Sequence, residues 1–179
     1  MSAFLRIALP LALGAVAATA QSGQIVQSVA DCPALPVRAV APTNVTDLAP
    51  SDFKALMIIG DSILAGFGEL GAQRLTNLTH DLFEDRGISY GSGADAGADS
   101  LFNYFAQFSP SLQGGSHGQH LFEVCYGILC PPGTHIPAID GLNAAQSGAM
   151  VSNLMEEVDY IVGQLQASTV IDMENDWKV

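Results

Sequence analysis

The chain has 179 residues, of which 18 are Asp or Glu and 6 are Lys or Arg, so its formal net charge is -12. Hydrophobic residues make up 49% of the sequence and charged residues 13%, which excludes a disordered acidic tail. The acidity also excludes nucleic acid as a partner, because no basic patch can displace counterions from phosphates. Charge alone cannot hold the chain on anionic lipid, so only an apolar surface or a pocket would bring it to a membrane.

Residues 1–20 have the pattern of a secretory signal peptide. Arg6 supplies the positive charge, an apolar run follows, and Ala18-Thr19-Ala20 has the small residues that signal peptidase recognises. A short membrane anchor is the alternative, but the run is shorter than the roughly 20 residues that span a bilayer. We therefore predict a secreted, extracellular protein whose mature chain starts at Gln21.

The three cysteines are an odd number for a secreted protein. Cys125 and Cys130 enclose four residues, and a small disulfide loop is feasible if a turn brings their β-carbons together. Cys32 then has no partner within the chain and would pair with another chain or with sequence that is absent here. The sequons at Asn44 and Asn77 predict glycosylation.

The first half of the mature chain predicts one strand and one helix. Residues 21–52 are Pro-rich and aperiodic, which indicates an extended leader. Residues 55–59 are apolar and end at a glycine, as in a strand buried on both faces. Leucines at helical spacing predict a surface helix over roughly 70–85, and the Gly-rich residues 87–99 predict a loop.

The second half of the mature chain predicts a short helix, a loop, a second strand and a longer helix. Phenylalanines 102, 105 and 108 predict a short helix that ends at Pro110, with the rings in the core rather than in a lipid-facing wedge. Residues 111–135 are expected to be loop, and 139–143 a second strand. Apolar residues from 151 to 165 predict an amphipathic helix. Strand, helix, strand and helix describe half of an α/β sandwich, because two strands alone do not bury a parallel sheet.

A serine follows the first predicted strand directly, in Gly60-Asp61-Ser62. At the tight exit of a buried strand, such a serine is held at the carboxyl edge of the sheet, and its backbone N–H can face a developing oxyanion. The alternative is a structural one, because serine also commonly caps a helix at this position.

Five segments in order resemble the GDSL, or SGNH, esterase and lipase family. Gly60-Asp61-Ser62 resembles its first block, and residues 143–149 (Asn-Ala-Ala-Gln-Ser-Gly-Ala) resemble its second. Between them, residues 86–95 and 108–114 are similar to the phospholipase B branch, and residues 176–179 resemble the start of its third strand. The resemblance covers residues from about 47 to 179.

The resemblance implies a three-layer α/β/α (flavodoxin-like) SGNH-hydrolase sandwich, with residues 53–179 as its amino-terminal part. It implies that Ser62 is the nucleophile and an oxyanion N–H donor, that Gly148 donates a second N–H, and that Asp61 is structural. The implied activity is hydrolysis of a phospholipid or lysophospholipid ester through an acyl-Ser62 intermediate. No metal or organic cofactor is implied, and a membrane surface would serve only as substrate.

The chain departs from the family in lacking part of the catalytic machinery. The family's third block, with its oxyanion Asn, would begin beyond Val179, and no Asp-x-x-His occurs in the sequence. We therefore expect a truncated product, in which a carboxyl-terminal part, with or without a membrane anchor, is missing. The alternative is a non-catalytic secreted binding module or inactive remnant, with Cys32 linking two copies and a dimer covering the open sheet edge.

The histidines leave two further alternatives. One of the four could act as a substitute base if it came within about 2.6–3.2 Å of the Ser62 hydroxyl, but solvated loop histidines are the expectation. A zinc site is the other alternative, with His117, His120, Cys125 and Cys130 as its ligands. Secretion and the wide cysteine spacing favour the disulfide instead.

Overall fold

The computed structural model describes residue 25 and residues 28–36, 38–70, 82–131 and 133–179. The strands and helices within these ranges are β1 (Phe53–Ala55), α1 (Ser62–Ala65), β2 (Phe83–Glu84), α2 (Leu101–Ala106), β3 (His120–Leu121), α3 (Pro137–Asp140), α4 (Leu154–Ala167) and β4 (Trp177–Lys178). None of the helices described is long and apolar enough to cross a bilayer. The predicted signal peptide and Asn77 lie outside the described residues.

Parallel pairing organises the chain around β1 and the residues that follow it. On one side β1 pairs with β4, with Phe53 opposite Trp177. On the other side Leu56 N–H donates to the Gln113 carbonyl, and Ile58 forms a parallel bridge with Asn143. These pairings are the parallel kind that the sequence predicts, while the three-layer sandwich itself stays a prediction.

Two predicted elements differ from those in the structure. Residues 137–140 are helical rather than the start of a strand, because Pro137 fits the first turn and the Asp140 carboxylate accepts from the Ile136 N–H. Strand-like pairing begins only beyond Gly141. The predicted helix over roughly 70–85 is wrong at its end, where Phe83 and Glu84 pair antiparallel with β3; residues 71–81 of it lie outside the described residues.

The predicted amphipathic helix is confirmed as α4, which a 3-10 turn (Val151–Asn153) precedes. Its Ile161 and Leu165 pack in the core against a small set of buried apolar residues: Ala55, Leu142, Ala144 and Ile171. The strand-forming run is less buried than predicted, because Ile59 at its end is 41% exposed. The phenylalanine prediction agrees with an edge-to-face contact of Phe105 with Phe53, at 5.5 Å between ring centroids.

A buried cluster of charges, which the hydrophobic pattern does not reveal, joins several segments. The Arg86 guanidinium is fully buried and donates to the Glu84 carboxylate at 2.6 and 3.1 Å. It also donates to the carbonyls of Asn143 and Ala145, and it lies 3.4 Å from the Asp140 carboxylate. Removing one member of such a cluster leaves the others buried without compensation.

The predicted cysteine pair is a disulfide in the structure, joining Cys125 to Cys130. The two thiols are therefore not available as zinc ligands in this form. Cys32 is half-buried and has no disulfide. Because the disulfide lies within one chain, nothing in it supports a dimer, and the linkage of two copies through Cys32 stays a prediction.

The Arg86 cluster predicts a large loss of stability in Arg86→Met. The variant leaves two buried carboxylates and two carbonyls without their donor, so we expect the free energy of unfolding to fall by about 3–5 kcal/mol. Urea unfolding at neutral pH measures it. Lys54→Met is the control, because among the described residues the Lys54 ammonium contacts only the exposed Ser111 hydroxyl. Its change should stay within about 0.5 kcal/mol. Equal effects of the two substitutions would show that the cluster contributes little.

Candidate functional site

Ser62 begins helix α1 immediately after the turn that leaves the paired segment at Ile58. Asp61 caps this helix, its carboxylate accepting from the Ile63 N–H at 3.0 Å. Gly66 ends the helix in the left-handed conformation, with φ +77°. Asp61 therefore has the structural role that the sequence predicted, and the helix-capping role that was the alternative for Ser62 belongs to its neighbour.

The polar groups of Ser62 are free to meet a substrate. The residue is half-buried, and neither its hydroxyl nor its backbone N–H has a hydrogen-bond partner among the described residues. Gly148 is exposed, and within the same part of the chain its N–H is also unpartnered. The two N–H groups predicted to stabilise an oxyanion are thus both available.

Backbone pairing brings the segments that carry Ser62 and Gly148 next to each other. The Ile58 carbonyl accepts from the Ala144 N–H, and two residues later the Gly60 carbonyl accepts from the Gln146 N–H at 3.2 Å. Because the two segments run parallel, both leave the pairing at the same edge. Gly148 precedes the 3-10 turn by three residues, so it lies before α4 and not at the amino end of that helix.

Gly148 has a conformation that favours glycine. Its φ is +85°, and a Cβ at this position would lie 3.1 Å from the Cys125 carbonyl oxygen. The Cys125 N–H in turn donates to the Ser147 carbonyl. The disulfide-bonded segment therefore packs directly against the Gly148 loop.

The Arg86 cluster positions both segments. Glu84 accepts from the backbone N–H and the hydroxyl of Ser147, at 3.1 and 2.6 Å. Asn143, whose carbonyl binds Arg86, uses its side-chain amide to donate to the Leu64 carbonyl near the end of α1. A single buried network thus connects the Ser62 helix with the loop that leads to Gly148.

Glu157 holds the turn before Ser62 from the other side. Its side chain is fully buried on α4, and one carboxyl oxygen accepts from the Gly60 N–H at 2.7 Å. The other oxygen is buried and has no hydrogen-bond partner among the described groups. Sequence reasoning missed this residue, although Glu157 lies one turn before Ile161 and two before Leu165, on the face that the core requires.

Burial raises the pKa of Glu157 to about 7. The hydrogen bond from Gly60 lowers the pKa and the negative charge of Asp61 raises it, followed by the smaller effects of Arg86, which lowers it, and Glu156, which raises it. The carboxyl that anchors the Ser62 turn therefore changes its charge near neutral pH.

Two of the three described histidines, His120 and His135, are not the solvated loop residues that the sequence suggested. His120 is 8% exposed, and its ring nitrogens face the Asp140 carboxylate at 2.9 Å and the Leu121 carbonyl at 2.8 Å. Because both partners only accept, the ring is positively charged. Burial lowers the pKa of His120, but these hydrogen bonds and the charge of Asp140 together raise it above its ordinary value.

The other histidines are also engaged away from Ser62. His135 stacks on Tyr160 at 4.0 Å between ring centroids and bonds the Ala144 carbonyl, and burial lowers the pKa of this histidine. His117 is exposed beside Asp95, as expected. His80 lies outside the described residues. None of the three described histidines contacts the Ser62 hydroxyl, so the structure does not bring any of them to Ser62 as a base.

Among the described residues, the groups with the spacing of metal ligands are Cys125, Cys130 and Glu156. Two of the three are sulfurs of the disulfide. The zinc alternative that combined these cysteines with His117 and His120 is wrong for this form of the protein. The predicted glycosylation site at Asn44 is exposed, and its side chain caps a 3-10 turn by accepting from the Thr46 N–H.

The conformation of Gly148 predicts a destabilised Gly148→Ala variant. A positive φ disfavours alanine, so we expect a loss of about 1–2 kcal/mol in the free energy of unfolding. Gly163→Ala is the matched control, because Gly163 lies within α4 with open space around it. That variant should gain about 0.5–1 kcal/mol from helix propensity. Thermal and urea unfolding compare the stabilities of the two variants. An unchanged free energy of unfolding in Gly148→Ala would contradict the positive φ of Gly148.

The buried carboxyl predicts a pH-dependent stability that Glu157→Gln removes. The folded pKa of about 7 exceeds the ordinary 4.5, so the contribution of Glu157 is full below about pH 4.5 and is lost as pH rises through 7. The free energies of unfolding at pH 5 and pH 8 should therefore differ less in Glu157→Gln than in the wild type. The exposed Glu174→Gln should keep the wild-type difference. Identical pH dependence in all three proteins would show that Glu157 does not cause the pH-dependent stability.

Curated relatives agree with the phospholipase B resemblance. The chain is 31% identical over 141 residues to membrane-associated phospholipase B1 of Mus musculus, and the match covers 77% of this chain and 8% of that protein. It is 30% identical over 141 residues to the Rattus norvegicus protein, covering 77% and 9%, and 28% identical over 151 residues to the Homo sapiens protein, covering 83% and 9%.

The chain thus spans less than a tenth of the length of these relatives. No family model matches it, and no solved structure matches it. Membership of the wider GDSL or SGNH family accordingly stays a prediction. Over more than three quarters of its own length, the chain is related to the phospholipase B1 proteins.

Proposed function

We propose that residues 53–179 form the amino-terminal part of a three-layer α/β/α hydrolase domain of the SGNH type, and that this domain hydrolyses phospholipid or lysophospholipid esters. The relationship to phospholipase B1 supports the substrate class. The observation that carries the proposal is Ser62, whose hydroxyl and N–H are unpartnered among the described residues at the edge where Gly148 also offers a free N–H.

The proposed reaction is acyl transfer through Ser62. The hydroxyl oxygen attacks the ester carbonyl carbon while a general base takes its proton, and the carbonyl oxygen becomes an oxyanion near the N–H groups of Ser62 and Gly148. Collapse breaks the ester bond, and the leaving alcohol takes a proton. Water then hydrolyses the acyl-serine to release fatty acid. Loss of one such N–H donor typically raises the activation barrier by about 2.7–4 kcal/mol.

We propose that the base, with the family's oxyanion Asn, is supplied from outside these 179 residues. The described histidines support this, because His117, His120 and His135 all bind other groups. Without a base, a serine hydroxyl is a weak nucleophile near neutral pH. Since none of the described histidines serves as this base, we propose that the chain by itself is nearly inactive.

The same engaged histidines favour a second candidate, a non-catalytic lipid-binding module that retains the fold of the hydrolase. This candidate predicts that the chain binds a lipid ester without hydrolysing it. Any residual hydrolysis would then be the same in Ser62→Ala as in the wild type. The dimer through Cys32 belongs to this candidate.

We further propose that the protein is secreted after cleavage behind Ala20. The signal-peptide pattern of residues 1–20 supports this, together with a disulfide between Cys125 and Cys130, since disulfides persist in oxidising compartments.

The role of Ser62 predicts that an external base rescues acyl transfer in this chain. Imidazole at increasing concentration should accelerate release of fatty acid from lysophosphatidylcholine by the wild-type chain, because it replaces the missing base. Ser62→Ala should show only the slow reaction of imidazole itself, and subtracting it isolates the enzymatic rate.

A rescue that survives in Ser62→Ala would remove Ser62 as nucleophile. Binding of lysophosphatidylcholine with no rescue would favour the non-catalytic module. Far-ultraviolet circular dichroism of Ser62→Ala should match the wild type, since the hydroxyl has no partner to lose within the described structure.

A further inference from the structure

An exposed apolar hairpin lies beside the Gly148 loop. We call Tyr126, Gly127, Ile128 and Leu129 the hairpin tip; Tyr126 and Leu129 form an antiparallel bridge, and the Cys125–Cys130 disulfide closes its base. The three side chains of the tip are 57%, 100% and 69% exposed. An apolar cluster that projects this far into water indicates a surface with a partner.

Most backbone groups of the tip are hydrogen-bonded within the protein, which lowers the cost of placing the tip in an apolar medium. Tyr126 and Leu129 exchange both of their N–H to carbonyl hydrogen bonds, at 3.1 and 2.9 Å. The Asn153 side chain binds the N–H and the carbonyl of Gly127, at 3.0 and 2.7 Å. Unpaired backbone groups are the main obstacle to entering the hydrocarbon boundary, and these six groups are already paired. Only the N–H and carbonyl of Ile128 have no partner among the described residues of the tip.

Charge decides which surface the tip can meet. Residues 124–131 carry no charge, and no Lys or Arg occurs between Arg86 and Lys178. Glu156, an exposed carboxylate, lies beside the disulfide, and Glu123 precedes the hairpin. Anionic lipid would be repelled by these carboxylates and by the net charge of -12. A zwitterionic surface offers ammonium groups to the carboxylates and an apolar interior to the tip.

A second copy of this chain fits the tip less well. Two chains that each carry a net charge of -12 repel each other, so their acidity opposes a contact between copies. Tyrosine, by contrast, is enriched at membrane–water interfaces, where its ring meets the apolar side and its hydroxyl the water.

We propose that the hairpin tip docks the protein on a zwitterionic phospholipid surface by inserting Tyr126, Ile128 and Leu129 into the headgroup–acyl boundary. Exposed neighbours on the adjoining 3-10 turn and α4, Val151 (85%) and Met155 (68%), extend the apolar surface next to Asn153. The tip packs on the Gly148 loop through Cys125, so docking brings the loop edge that carries Gly148 toward the bilayer. This proposal does not require Ser62 to be a nucleophile.

Vesicle sedimentation tests the proposal on the full chain carrying Ser62→Ala, so that no turnover alters the lipid. We expect binding to phosphatidylcholine vesicles and weaker binding when phosphatidylserine is included. Ile128→Asp should weaken binding to phosphatidylcholine about tenfold or more, because the loss of a buried Ile side chain corresponds to at least that factor. Val40→Asp is the matched control, because Val40 is also exposed (74%) but lies in the amino-terminal leader.

We expect Ile128→Asp to fold like the wild type, since the Ile128 side chain is fully exposed. Thermal unfolding of both proteins tests this expectation. As a second readout, the fluorescence of Tyr126→Trp should be quenched by brominated phosphatidylcholine. Absent vesicle binding, equal loss in Val40→Asp, or unquenched fluorescence would each overturn the proposal. So would a dimer in analytical ultracentrifugation that Ile128→Asp dissociates while vesicle binding is absent, because the partner would then be a second copy.

Discussion

The buried guanidinium of Arg86 is the constraint on which the described structure depends most. It neutralises Glu84 and lies beside Asp140, and it also binds two carbonyls of the segment that leads to Gly148. Together with the His120 ring, it faces the two buried carboxylates of Glu84 and Asp140. A set of this kind is stable only when complete, because each remaining charge would be buried without a partner.

The turn that carries Ser62 is held by two polar contacts rather than by apolar packing alone. Asn143 binds the end of α1 through the Leu64 carbonyl, and Glu157 binds the Gly60 N–H. The first contact is neutral, whereas the second involves a carboxyl whose charge changes near pH 7. The position of the serine is therefore connected both to the Arg86 cluster and to the protonation of helix α4.

The Ser62 and Gly148 site and the hairpin tip are neighbours in the structure, and each is suited to a different function. Ser62 and Gly148 offer unpartnered groups suited to an acyl oxyanion, and the neighbouring disulfide-closed hairpin offers apolar side chains suited to the surface on which lipid esters reside. The described histidines serve other parts of the structure. In the reaction that we propose, the described residues position the ester, and a base outside them takes the proton.

The sequence by itself determined the local features that depend on neighbours in the chain: the amphipathic helix that became α4, the serine after an apolar run, a structural role for Asp61 and the short cysteine loop. Periodicity and turn chemistry report such features directly. The phospholipase B resemblance was also readable from motif order. The tertiary structure alone decided the pairing of Ile58 with Asn143 and the roles of the buried polar side chains. Arg86, His120 and Glu157 look like surface residues in a sequence, because their partners are distant along the chain and only folding brings the compensating charges together.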